Sequence, residues 1–338
     1  MSEILLAKPV LPPGFIDLSV GEPHVVRDIL FEIFDMSQYQ LPQVSHMWEY
    51  PASTGYRPLI KLLEDKHQAP VLVTNGAKQA LGASFYALQK MGKRTVGMRN
   101  PYWALIPPLV KMHGLEPITD NTPAEAQLLL LPNNPDGFCP PLYYIKEYAE
   151  VCKASGMPLI HDAAYYTKTY LPPKYPIENI GDVQIYSISK MLGLSGLRLG
   201  YVVCHNKEMY KHIQDYIENM TVGVSIVSQM FLTELVSRMV AYPTLTNKFY
   251  GLSWQALQDN KKALKQINPE VLEIPDNVED IAGMFGWFKV GPKANFAGSK
   301  INVIKGDLFG GPGMVRINLA FHAELMQEII NRLNAIKE

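Results

Sequence analysis

Lys190 stands just beyond an apolar run, Val183-Gln-Ile-Tyr-Ser187, and is followed by Gly193, Gly196, Arg198 and Gly200. An ammonium is costly beside such a run unless its amine is used. Desolvation lowers the pKa of the amine and makes it a ready nucleophile toward a carbonyl carbon, the chemistry of Schiff-base lysines. The glycines let the backbone approach a ligand closely, and Arg198 offers a planar fork suited to phosphate. A buried structural lysine in a strand-to-helix turn would leave the same local pattern, so the other residues decide between the two.

Those residues must be positioned by the elements around them. Between about 70 and 205, short apolar runs alternate with helix-length amphipathic stretches, which predicts an α/β sheet with crossover helices. Strands are predicted at 71–74, 95–98, 127–131, 158–161, 183–187 and 199–204, with helices such as 79–91 and 141–155 between them. Long helical patterns follow through 209–239 and 248–266, then short strands at 286–290 and 314–318 and a last helix over 323–336. We read 38–240 as a large domain, and 1–37 together with 241–338 as a smaller α+β one.

Ligands of open α/β sheets bind outside the carboxyl ends of the strands, and there the polar residues recur. The first run ends in Asn75-Gly76-Ala77-Lys78, a glycine turn opening a helix whose free N–H groups suit a phosphate. The second leads to Tyr102 and Trp103, either of which could stack on a flat ring; the third leads to Asn133 and Asn134, an amide for a phenolate-like oxygen. The fourth ends in His161-Asp162-Ala-Ala-Tyr165, with a carboxylate at the tip of a buried strand, where it needs a cationic partner or its pKa rises. The fifth delivers Ser187 and Lys190. Taken singly, these are also ordinary turns, a loop-core aromatic, a structural ion pair and a core histidine. Taken in order, they describe pyridoxal phosphate: Lys190 for its aldehyde, Asp162 for the pyridinium nitrogen, Asn134 and Tyr165 for the ring oxygen, and the Gly76 turn, Ser187 and Arg198 for the phosphate.

The bulk composition agrees. In 338 residues, 31 Lys and Arg balance 32 Asp and Glu, so no basic field exists to hold nucleic acid or an anionic membrane. The cysteines, Cys139, Cys152 and Cys204, are scattered without Cys-x-x-Cys spacing, and no second ligand stands at metal spacing from His161, so neither a disulfide framework nor a metal site is expected. No run approaches ~20 apolar residues, and the first residues do not read as a signal peptide. We therefore expect a soluble protein of the cytoplasm.

From about Ile16 onward the chain resembles the class I/II aminotransferases, fold type I of the pyridoxal-phosphate enzymes. The matching elements are Ile16-Asp-Leu-Ser-Val-Gly21-Glu-Pro23, Tyr50-Pro-Ala-Ser-Thr-Gly55-Tyr-Arg-Pro-Leu59, Thr74-Asn-Gly76-Ala-Lys-Gln-Ala80, Asn133-Asn134-Pro-Asp-Gly137, Asp162-Ala-Ala-Tyr165, Ser187-Ile-Ser-Lys190 with Arg198, and Val315-Arg316. The resemblance implies a large domain with a mostly parallel seven-stranded sheet, ping-pong transfer of an amino group from an amino acid to a 2-oxo acid, and a homodimer with shared active sites. It also implies that Gly21 and Arg316 contact substrate, Arg316 through the α-carboxylate, and that Tyr50 reaches the phosphate of the neighbouring subunit. His24, Arg27, Tyr102 and Tyr165 are candidates for shaping side-chain specificity.

The departures from the family pattern are a compact span, with only residues 57–73 between Tyr56 and Thr74, an aspartate at 136 where threonine is usual, and an alanine at 163 where an acidic residue is frequent. The stretch from Ser189 to Tyr201 is similar to that of histidinol-phosphate aminotransferases and their decarboxylase cousins. A lyase or decarboxylase on the same cofactor shell is the alternative, since it differs in the bond set against the ring. An effector-sensing domain of a transcription regulator would need a DNA-binding helix, and the residues before Tyr50 carry no basic one.

Overall fold

The computed structural model describes residues 10–42, 45–120 and 122–335. Its centre is a seven-stranded sheet of β1 (Val71–Thr74), β2 (Thr95–Met98), β3 (Glu116–Ile118), β4 (Ala126–Leu130), β5 (Leu159–Asp162), β6 (Val183–Ser187) and β7 (Gly200–Cys204), in the spatial order β1-β7-β6-β5-β4-β2-β3. Only β7 runs antiparallel to its neighbours. All residues of β1, β5, β6 and β7 are buried, as expected of strands covered by helices on both faces.

The edge strand β3 has no counterpart among the six predicted runs. It is three residues long, half-exposed and contains Pro117, which an edge tolerates because one side of the backbone has no ladder to feed. The helical pattern over 209–239 is two helices, Lys207–Thr221 and Ile226–Ala241. The break falls where Val222 takes φ 62° and the Ser225 side chain caps the second helix by accepting from the Ser228 N–H. The last helix is Ala323–Asn334, and residue 336 of its predicted span lies outside the described residues.

A second sheet pairs Phe285–Val290 with Met314–Asn318 antiparallel, flanked by Ile304–Lys305 and Leu272–Glu273. Leu264, Phe288, Ile317 and Ile330 pack there in an apolar cluster of their own, joined by Leu18 from the amino-terminal segment. That segment is tied in by a short parallel pairing of Ile16–Asp17 with Ile301–Asn302. Helices His24–Ile33 and Pro243–Ala263 also give Val26, Leu30, Phe249 and Leu257 to the core behind the large sheet. Among the described residues no helix is long and apolar enough to cross a membrane.

Candidate active site

The carboxyl ends of β1, β4, β5 and β6 open onto one cavity of about 330 Å³, within the size range of small-molecule sites. Gly21, Gly76, Ala77, Lys78, Trp103, Asn134, Asp162, Tyr165, Ser187, Lys190 and Arg198 all line it. Arg316 borders it, its Nη1 donating to Asn134 Oδ1 at 3.1 Å. Tyr50 is elsewhere, 89% exposed on the surface. Among the specificity candidates, only Tyr165 lines this cavity: His24 stacks on Phe321 and lines a separate hollow, Arg27 pairs with Asp28 at 2.8 Å, and Tyr102 donates its backbone N–H to Phe309 beside the site.

At the end of β1 the chain turns through Gly76 at φ +75° directly into helix Gly76–Lys90. The Asn75 side chain does not cap this helix, so its first-turn N–H groups face the cavity as donors. A side chain at Gly76 would approach Arg198 Nη2 to 3.3 Å, so the missing Cβ leaves room for the guanidinium beside the turn. Arg198 is itself left-handed at φ 53°, with Nη1 donating to the Ser195 carbonyl at 2.9 Å. Helix amides, guanidinium and the Ser187 hydroxyl converge on one end of the cavity.

The other end is set by β4, β5 and β6. Asp162 is 1% exposed and takes one hydrogen bond, from the Ala164 N–H at 3.1 Å. Burial pushes its pKa up to about 7, against smaller lowering by that N–H and by the charge of Lys190. Lys190 rides on the short helix Ile188–Met191, its carbonyl accepting from Tyr170 Oη at 2.6 Å, and its Nζ donates to the Gly21 carbonyl. Burial, then the nearby Arg316 charge, lowers its pKa to about 8. Gly21 is needed here, since a Cβ would lie 3.1 Å from Lys190 Nζ and 3.2 Å from the Phe285 ring.

These two shifts give the ligand-free protein opposite pH slopes. The Asp162 carboxyl ionises near 3.8 when unfolded and near 7 when folded, so the unfolded chain releases its proton first and stability falls as pH rises from 4 to 7. The Lys190 ammonium titrates near 8 folded and 10.5 unfolded, so the unfolded chain holds its proton longer and stability rises from pH 8 to 10. We expect Asp162→Asn to remove the acid-side fall, a difference of up to about 4 kcal/mol at pH 7. Urea unfolding of cofactor-stripped protein from pH 4 to 7 checks this, and parallel curves for wild type and variant would contradict it.

Sequence reasoning missed what surrounds Arg316. Its guanidinium carbon lies 4.1 Å from the ring centre of Phe285 and 5.0 Å from that of Phe309, its Nη2 donates to the Ser19 carbonyl, and its Nε has no partner among the described residues. Phe285 sits one residue before the predicted 286–290 strand, and Phe309 closes a 3-10 turn with no sequence signature. Asn318, two residues after Arg316, donates to the carbonyls of Val20 and Glu22 at 2.8 and 2.9 Å and so pins Gly21 between them. Asp136, the departure from threonine, braces the Asn134 turn: it takes Arg99 Nη1 at 2.6 Å and Asn133 Nδ2 at 2.7 Å.

Lys190, the buried Asp162 and the turn that holds Gly76 beside Arg198 thus line one cavity of an α/β fold. The family model for aminotransferases of class I and II matches residues 48–333, and the chain belongs to that family. It is 29% identical over 244 residues to tryptophan aminotransferase-related protein 2 of Arabidopsis thaliana, covering 65% of this chain and 53% of that protein. The alignments thus span about half the length of the Arabidopsis relatives. Over 316 residues it is 24% identical to aspartate aminotransferase of Geobacillus stearothermophilus, covering 81% and 77% of the two chains. The structure of the aromatic aminotransferase from Pyrococcus horikoshii superposes with a TM-score of 0.76 at 16% identity, over 96% of this chain and 95% of that one, and shows the shared fold.

Proposed function

We propose that the protein is a pyridoxal-phosphate-dependent aminotransferase that moves an amino group from an amino acid to a 2-oxo acid by a ping-pong mechanism. The observation that carries this is the single cavity in which Lys190, Asp162, Asn134 and the Gly76–Arg198 cradle face one another. Pyridoxal phosphate fits its donors: helix amides, Ser187 and Arg198 for the dianion, Lys190 for the aldehyde, Asn134 and Tyr165 for the ring oxygen, and Trp103 beside the ring. Asp162, buried with one neutral hydrogen bond, lacks the cation that a protonated ring nitrogen would supply. When bound, the cofactor acts as an electron sink for charge developing at the substrate Cα.

The chain's own residues do the rest. Arg316 holds the donor's α-carboxylate, with the Phe285 and Phe309 rings excluding water from the fork. Lys190 Nζ, with its pKa lowered to about 8, is close enough to neutral pH to take a proton from Cα and return it nearby. Asp162 keeps its negative charge against the ring nitrogen and so holds the proton there. The relatives named for tryptophan and for aspartate share only the α-amino and α-carboxylate groups of those substrates, the part this reading uses. Adding single amino acids to purified protein and following the cofactor's visible band tests it. Bleaching by at least one amino acid is expected, and release of carbon dioxide or ammonia without conversion of the cofactor to its amino form would move the protein to the lyase reading.

Arg316→Lys keeps the charge and loses one of two hydrogen bonds to a carboxylate, so the donor half-reaction should slow by roughly 10- to 100-fold. The decarboxylated amine of the same donor should already be slow on wild type and change little in the variant. Equal rates for the amine and its parent amino acid on wild type would remove this role from Arg316.

The same reading includes a homodimer with shared sites, supported by Tyr50 and Trp48 standing 89% and 76% exposed away from the cavity. Mixing Tyr50→Phe with Lys190→Ala subunits should restore part of the activity, whereas a fully active monomer would contradict it. The division into 38–240 and 1–37 with 241–338 belongs to the proposal too, supported by the separate cluster around Phe288 and Ile317, while helices His24–Ile33 and Pro243–Ala263 pack on the core behind the large sheet. So does a cytoplasmic site of work, supported by the near-neutral charge and scattered cysteines.

A further inference from the structure

Behind the helical turn that carries Lys190 lies a second cavity of about 320 Å³, which shares no lining residue with the first. The two alternate along the chain: Ser187, Ser189 and Lys190 face the active-site cavity, while Ile188, Met191 and Leu192 face this one, and Tyr165 and Tyr166 divide in the same way. Its floor is aromatic. Tyr186 and Tyr201 stack with centroids 4.8 Å apart and planes 18° from parallel, and His67 tilts over Tyr186 at 4.9 Å.

The polar groups on this floor are not all satisfied. His67 is, with its ring nitrogens 3.1 Å from Asn179 Oδ1 and 3.1 Å from Tyr201 Oη, and burial holds its pKa down at about 4, so it is neutral. The Tyr186 hydroxyl, on a side chain 2% exposed, has no hydrogen-bond partner among the described residues. Such a group calls for an explanation.

Lys66 and Lys168 also line the cavity, both exposed, and neither forms an ion pair among the described residues. Lys66 is exposed along its side chain, yet partial desolvation at its ammonium, and second the charge of Lys168, lower its pKa. The carbonyl end of helix Arg57–His67 favours a cation at Lys66. It does not account for a second lysine from another segment at the same mouth. Two ammonium groups without ion-pair partners among the described residues, lining one cavity with the stacked Tyr186 and Tyr201, suit an anion carried on a flat apolar body.

We propose that this second cavity binds a small aromatic carboxylate, its ring against Tyr186 and Tyr201 and its carboxylate at Lys66 and Lys168. The inference is independent of the reading of the active-site cavity.

Titration of the cofactor-loaded protein with 3-phenylpropionate, read on ¹³C-methyl methionine resonances, tests it, because Met191 and Met239 line this cavity. Saturable shifts of both methyls are expected. Affinity should fall at least about tenfold in Lys66→Gln/Lys168→Gln, whose substitutions are on exposed residues, and by a similar factor for the neutral 3-phenylpropanamide on wild type. Arg316→Gln should leave the titration unchanged, which separates this site from a carboxylate bound in the active-site cavity. The proposal is overturned by absence of the shifts up to about 10 mM probe, by equal affinity in the double lysine variant, or by loss of the shifts in Arg316→Gln.

Discussion

Lys190→Ala is expected to lose transamination by on the order of 10⁴-fold or more, because one side chain is asked both to hold the cofactor and to move the Cα proton. The loss should appear in kcat and in single-turnover rates alike. Folding should not suffer: the substitution removes a buried ammonium whose best partner is a backbone carbonyl, that of Gly21, and the turn is still fastened by Tyr170 Oη on the Lys190 carbonyl and Thr169 Oγ1 on that of Met191. Circular dichroism with amino-group transfer assays on the same preparation separates the two effects. Turnover within tenfold of wild type would show that Lys190 does not carry the chemistry.

Asp162→Asn is the second large effect. The amide matches the carboxylate in shape and can keep the Ala164 N–H bond, yet it has no charge with which to hold a proton on a ring nitrogen. Binding of the cofactor should survive through the phosphate cradle and Lys190. Turnover should fall on the order of 10³-fold, several kcal/mol of transition-state stabilisation. Asp162 is well placed for this because β5, paired at that residue with Leu130 of β4 and Ile185 of β6, ends at the cavity. A variant that binds cofactor and turns over near the wild-type rate would refute the assignment.

Much of this site was legible because an α/β sheet puts chemistry at strand ends, and strand ends are where apolar runs stop. Val71–Thr74, Thr95–Met98 and Val183–Ser187 are found at the predicted bounds, and the last of them leads to Ser187 and Lys190; the runs that lead to Asn134 and Asp162 are found at Ala126–Leu130 and Leu159–Asp162, each displaced by one residue. Asp162 proved to be the last residue of its strand rather than the first after it.

What escaped the sequence is non-local. The three residues of Glu116–Ile118 are too few and too exposed to show a period, and they are a strand only because β2 offers them an edge. The break after Thr221 depends on a left-handed valine and a serine cap inside an apolar pattern that reads as continuous. Phe285 reaches Arg316 and Asn318 reaches the carbonyls around Gly21 across long stretches of chain, and no local pattern announces such contacts.

The central claim is that one amine, that of Lys190, carries pyridoxal phosphate. Borohydride treatment of the yellow, cofactor-loaded protein followed by peptide mapping tests it most directly. The account predicts a phosphopyridoxyl mass on the peptide containing Lys190 and on no other. A mark on a different lysine, or no mark in protein shown to contain the cofactor, would contradict it.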